Sequence, residues 1–256
     1  MNKTVTALLS AGLLFAAGSS SAEHHEGVQL DPAAPIELYA CNFNEGKGPA
    51  DYDKAIGQWN KWADRQKMSS YSAWTLTPYY AGAEQDFDVI WLGATEKMKD
   101  MGRAHDMYLA KGESVQKAFA DVIDCDTHAM FAAIQFKEPP EREDPSSVVI
   151  TFSDCSGING SSFDDLVPSM AEWAKYSEAN GSTAGMWALM PALGGGGEEF
   201  EFKWVSSFQN LEEMGSHQDH YAEEGWKKGN ELFKGKVECD SSRVYIATNR
   251  RMADES

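Results

Sequence analysis

Two stretches of this chain gather imidazoles, carboxylates and a phenol within two helical turns. Met214-Gly215-Ser216-His217-Gln218-Asp219-His220-Tyr221 sets His217 and His220 three residues apart, neighbours on a helix surface. Such a pair can bind a metal or haem iron, relay a proton, or simply face water. His217, Asp219, His220 and Tyr221 are therefore the candidates for acid–base catalysis. H-x-x-H alone does not define a ligand set, so no metal site is assigned and the cofactor stays open. Met101-Gly102-Arg103-Ala104-His105-Asp106-Met107-Tyr108 is a related stretch, with Asp106 and Tyr108 in the places of Asp219 and Tyr221 and His105 in that of Gln218.

The relation between these stretches extends to most of the chain. A shift of 113 positions superposes Trp74 on Trp187, Leu76 on Leu189, Pro78 on Pro191, Gly82 on Gly195, Phe87 on Phe200, Trp91 on Trp204 and Gly112 on Gly225. The chain is written twice, and a feature present in only one copy is a candidate for function. Trp74, Trp91, Trp187 and Trp204, with Asp106 and Tyr108, are candidates to line a ligand pocket. The tryptophans serve equally well as core, and the Asp/Tyr pairs as structural contacts. Tyr79 and Tyr80 have no aromatic twins and suit a pocket rim or a partner contact. Gly194 to Gly197 reads as a hairpin tip, since it lacks a P-loop lysine.

Each copy reads strand, helix, strand, strand, helix, strand. In the first, Ile36 to Cys41 is extended, and Tyr52, Ile56, Trp59 and Trp62 recur at helical spacing. Strands follow at 70–79 and at Phe87, Val89 and Trp91. A helical region over 95–122 breaks near Gly112, and a last strand spans 127–137. The second copy repeats the order over 148–249. This is the βαββαβ, ferredoxin-like plan, in which first and last strands lie side by side. The fold class is α+β, with two fused ferredoxin-like repeats over residues 36–138 and 147–251. Residues 139–146 form a proline- and charge-rich linker, 23–35 a leader and 252–256 a tail.

Four cysteines allow three pairings. Each copy holds two, one ending its first strand and one just ahead of its last, so Cys41–Cys125 and Cys155–Cys239 are expected as disulfides.

A ferredoxin-like unit leaves one sheet face to be covered, and its twin is the natural cover. In this the chain resembles the dimeric α/β-barrel superfamily, in a fused form, over Ile36 to Arg251. Met186-Trp187 through Phe202-Lys203-Trp204-Val205 is also similar to NIPSNAP-type members. The resemblance implies an intrachain α/β barrel with a ligand held between sheet and helices. It leaves activity open, because that superfamily includes cofactor-free monooxygenases, haem enzymes and isomerases.

Lys3, the apolar run Ala7 to Gly18 and Ser20-Ser21-Ala22 have the order of an export signal over 1–22, cleaved after Ala22. A periplasmic or secreted product is expected, without membrane insertion after cleavage. The new terminus, Glu23-His24-His25, has the donors of a Cu(II) chelate. The formal charge of −18 over 256 residues argues against nucleic acid as a partner. The chain reads as an exported binding protein for a small apolar molecule. A cofactor-independent oxygenase or isomerase at His217, Asp219 and His220 is one alternative; a structural or partner-binding protein is another.

Overall fold

The computed structural model describes residues 30–83, 85–141 and 146–254. The expected signal, the Glu23-His24-His25 motif and the middle of the linker lie outside these residues. The elements are β1 (Ala34–Phe43), α1 (Pro49–Arg65), β2 (Ser72–Tyr80), β3 (Val89–Ala94), α2 (Met98–Lys111), α3 (Glu113–Ala120) and β4 (Ile123–Lys137). They continue with β5 (Ser147–Gly157), α4 (Phe163–Ala179), β6 (Gly185–Leu193), β7 (Phe202–Phe208) and α5 (Leu211–His220). A π-helical turn (Tyr221–Gly225), α6 (Trp226–Phe233), β8 (Val237–Cys239) and β9 (Arg243–Arg251) complete the chain.

Eight strands close into one antiparallel barrel, in the order β4-β1-β3-β2-β9-β5-β7-β6 and back to β4. The two halves of the chain supply four strands each, in equivalent order. The seams are β2 against β9 and β4 against β6. Closure pairs each of these eight strands on both sides, and only the short β8 is left as an edge among the described residues.

Strand alternation divides the apolar residues between the barrel lumen and the helix-covered outer face. Leu76, Ile90, Leu92, Phe131, Phe152, Leu189, Val205 and Tyr245 fill the barrel lumen. On the outer face, α1 lays Tyr52, Ile56, Trp59 and Trp62 against the first half's strands, joined by Met101, Val115 and Ile123. Helix α1 starts with a proline in its first turn, where the missing N–H costs nothing. Helix α4 starts with a capping box between Ser162 and Asp165. A side chain at Gly112 would strike the Tyr108 carbonyl at 2.3 Å, so the chain breaks there between α2 and α3.

The elements depart from the sequence reading at two points. β4 begins at Ile123, so Cys125 lies within it, while Cys239 sits on the separate short strand β8. β3 begins at Val89, so Phe87 precedes it and packs into the lumen, whereas Val89 and Trp91 face the helices. Disulfides join Cys41 to Cys125 and Cys155 to Cys239, each across a directly paired register position. No helix among the described residues is long and apolar enough to cross a membrane.

Each disulfide spans a sequence separation of 84 residues, long enough to restrict the unfolded chain substantially. Replacing Cys155 and Cys239 together by serine is expected to lower the unfolding free energy by about 2–5 kcal/mol. Urea titration measures this, and an unchanged midpoint would show that strand pairing alone holds this end of β5.

Candidate functional site

The outer face of β1 carries Glu37, Tyr39 and Cys41, while Ile36 and Leu38 turn to the lumen. Alternation therefore sends Glu37 into the helix–sheet layer, where it is 1% exposed. A carboxylate in such surroundings must be paired or it costs several kcal/mol. Three side chains approach it, and a fourth holds one of them. Tyr71 Oη donates to Oε1 at 2.5 Å, and Trp91 Nε1 donates to Tyr71 Oη at 3.0 Å. His128 Nε2 lies 2.9 Å from Oε2. His105 Nε2 lies 2.9 Å from the same oxygen, but its buried nitrogen is not aligned for a hydrogen bond to any described residue.

The elements place these groups firmly. Glu37 faces Gly93 across the β1–β3 ladder. A Cβ at Gly93 would meet Tyr71 Oη at 1.9 Å and Glu37 Oε1 at 2.8 Å, so only glycine leaves room for the phenol to reach the carboxylate. Tyr39 stacks on His128 with ring centres 3.7 Å apart. Burial pushes the Glu37 carboxyl upward, but the contacts from His105, His128 and Tyr71 outweigh it and hold the group at about 2. Contact with the carboxylate raises His105 above the usual imidazole value, against the effect of its own burial. Burial and the neighbouring negative charge push the Tyr71 phenol well above its usual value.

This cluster closes one end of a cavity of about 260 Å³. Tyr39, Tyr52, Trp59, Trp91, Tyr108 and Phe119 give its wall an aromatic character. Tyr52 Oη, also buried, has no hydrogen-bond partner among the described residues. The space is thus aromatic in the middle, with a carboxylate and an imidazole at one side and a phenol to offer elsewhere. A second, larger hollow of about 880 Å³ lies at a mouth of the barrel, between Tyr80, Phe87, Tyr245 and the charged Lys203, Asp240 and Arg243.

The sequence candidates are dispersed over the fold. Trp91 and Tyr108 line the smaller cavity. Trp74 and Trp187 pack in the lumen, and Trp204 packs under the helices of the second half. Asp106 and Asp219 are exposed. His217 and His220 take separate partners: His217 Nδ1 lies 3.3 Å from Ser182 Oγ, and His220 Nε2 lies 3.4 Å from Tyr176 Oη. The Tyr221 ring meets Trp173 edge-on. None of these four lines either hollow. Tyr79 and Tyr80 form an exposed edge-to-face pair, and Tyr80 reaches the barrel mouth. Glu37, Tyr71 and His128 were not nominated by the sequence reading. Their signal is the comparison of halves: Ala184 stands opposite Tyr71 at the shift of 113, and Thr151 and Ser242 stand opposite Glu37 and His128 at the shift of 114 that superposes the cysteines.

No family model and no curated protein matches this sequence. Solved structures do match its fold. A heme-binding protein from Thermus thermophilus is 10% identical, with a TM-score of 0.50, covering 88% of this chain and 94% of its own. A mutant chlorite dismutase from Candidatus Nitrospira defluvii is 6% identical, with a TM-score of 0.51, covering 85% of this chain and 92% of its own. At these identities the likeness defines the fold, the dimeric α/β barrel, and nothing finer.

Two outcomes follow from this geometry. Gly93→Ala forces the Tyr71 phenol off Glu37, and a loss of about 1–3 kcal/mol is expected from overpacking alone. Tyr71→Phe, which keeps the shape, is expected to lose about 1.5–3 kcal/mol with the charged hydrogen bond. Denaturant melts of both variants check this. His217 behaves oppositely to His105: burial lowers its pKa, with His220 and Lys137 adding repulsion. The unfolded chain then binds the proton more readily, so this residue's contribution weakens as pH falls through about 6.5. His217→Gln is expected to gain stability relative to the wild type between about pH 7.5 and about pH 5. A constant difference over that range would contradict the assignment.

Proposed function

We propose that this is an exported protein, built from two fused ferredoxin-like repeats, that binds a small aromatic or apolar molecule in the cavity of its first repeat. One observation carries the reading: an aromatic cavity between sheet and helices ends on the buried Glu37 cluster. A wholly structural core has no need of a carboxylate with three polar partners. Tyr52 supports the same reading, because a buried phenol without a partner costs about 1–3 kcal/mol, which a ligand's polar group would recover. The signal-like order of residues 1–22 supports export, and two disulfides fit an oxidising compartment.

The haem-binding neighbour raises the question of haem. The cavity of about 260 Å³ lies below the roughly 300–1,000 Å³ of pockets for drug-sized ligands. A porphyrin is larger than such ligands, and the one histidine that lines this cavity, His105, is turned to Glu37. These residues do not fit haem. If the protein turns its ligand over, Glu37 and His105 stand at the cavity, whereas His217, Asp219, His220 and Tyr221 stand away from it.

The neutral fluorophore phenylnaphthylamine serves as a probe. It is expected to bind at one site per chain with a saturable rise in emission. Ala104 lines the cavity, so Ala104→Phe fills it and is expected to weaken binding at least about tenfold, equal to about 1.4 kcal/mol. His217 belongs to the other half, so His217→Gln should leave binding unchanged. Full binding by a folded Ala104→Phe variant would move the ligand elsewhere, the barrel mouth being the next place to test.

A further inference from the structure

Among the described residues, one set of three metal-capable side chains converges: Glu37, His105 and His128. We propose that these residues form a mononuclear site for a divalent first-row transition ion. The ligand atoms are Glu37 Oε2 and the two Nε2 atoms, all within 4.8 Å of one another. Each imidazole nitrogen lies 2.9 Å from Oε2. That separation is the chord between two donors held about 2.1 Å from a common ion at roughly a right angle.

Hydrogen bonding accounts for only part of this arrangement. His128 has an aligned bond to Oε2. His105 comes equally close to the same oxygen without aligning its N–H, and its nitrogen has no other hydrogen-bond partner among the described residues. Two imidazoles converging on one oxygen, one of them off the hydrogen-bond axis, is the disposition of ligands around an ion beside that oxygen.

The surroundings meet the other demands of such a site. Tyr71 holds Oε1, leaving Oε2 as the ligand atom, and Trp91 in turn holds Tyr71. Outer hydrogen bonds of this kind fix ligating carboxylates. Tyr39 fixes the plane of His128 by stacking. Two imidazoles and one carboxylate at such angles leave further positions open, a donor set suited to Fe(II). His105 and Glu37 line the cavity, so an open position faces the space assigned above to a ligand. His128, on the far side, is 45% exposed and gives the ion a route from solvent. The second half has no equivalent, having Thr151, Gln218 and Ser242 in those places. The metal site rests on the cavity reading only for what occupies the open position.

Co(II) is the probe, added to the untagged, disulfide-bonded protein without any organic ligand. One equivalent is expected to give visible d–d bands of nitrogen-ligated Co(II), discharged by Zn(II). His105→Ala and His128→Ala are each expected to weaken binding by more than about 100-fold, and Tyr71→Phe by about 10–100-fold. His217→Ala/His220→Ala should leave the spectrum unchanged. His128 is exposed enough that its variant keeps the fold, which circular dichroism verifies. Absence of the bands at one equivalent overturns the site, as do bands that persist in folded His128→Ala. Several weak, nearly colourless ions bound by the acidic surface also overturn it. Phenylnaphthylamine binding without the bands would remove the metal and leave the cavity reading standing. Bands retained in Ala104→Phe after the fluorophore is excluded would separate the two in the opposite direction.

Discussion

The buried carboxylate of Glu37 is the constraint around which the first half is arranged. A charge at this depth is tolerated only with partners, and the partners come from every layer that surrounds it. Tyr71 enters from the residue just ahead of β2, His105 from α2, His128 from β4, and Gly93 on β3 makes way. Removing any one of them leaves the carboxylate short of compensation. The same requirement keeps α2 at a fixed distance from β1. The cavity among Tyr52, Trp59, Tyr108 and Phe119 lies beside this strut, under the helices that it positions.

The two halves share a plan and differ in what fills it. The second half has no carboxylate at the place of Glu37. Thr151, opposite Ser206 on the ladder, occupies the place that Glu37 holds opposite Gly93. Trp173, Met186, Phe208 and Leu232 pack there, with Trp204 and Phe233 against them. Histidines on this side are drawn into single contacts with Ser182 and Tyr176 rather than toward a common centre.

Local pattern and internal repetition made the strand order and the cysteine pairs legible, because both depend on spacing within each half. The site was less so. In Ile36-Glu37-Leu38-Tyr39 the glutamate sits at an alternate position that ordinarily faces water, and nothing adjacent marks it as buried. Its partners Tyr71 and His128 lie 34 and 91 residues away. His217 and His220 drew attention by being close in sequence, and they do share a helix face, yet different neighbours capture each ring. His105 did carry a signal, since Gln218 stands in its place. Extending that comparison to Glu37, Tyr71 and His128 would have assembled the cluster, though only barrel topology explains why the four meet.

Barrel closure also ties the site to the half that does not contain it. β4 carries His128 and pairs with β6 of the second half along one seam. Where β6 ends, Gly194 comes against the His128 carbonyl, so closely that a Cβ there would lie 2.2 Å from the oxygen. Gly194 adopts a φ of 84°, which glycine takes without strain. On its other side β4 is held to β1 by the ladder and by the Cys41–Cys125 bond. Thus His128 is fixed from both directions, by its own half through a covalent bond and by the other through a close backbone contact. The first half cut free of the second would keep Glu37 on β1 and Tyr71 at the entry to β2 but lose one of the two supports of His128. The lumen is filled by side chains from both halves, and the hollow at its mouth reaches in as far as Ile90, Phe131 and Phe152. Site and barrel are therefore one construction: the second half serves the first by completing the wall against which its charged cluster is held.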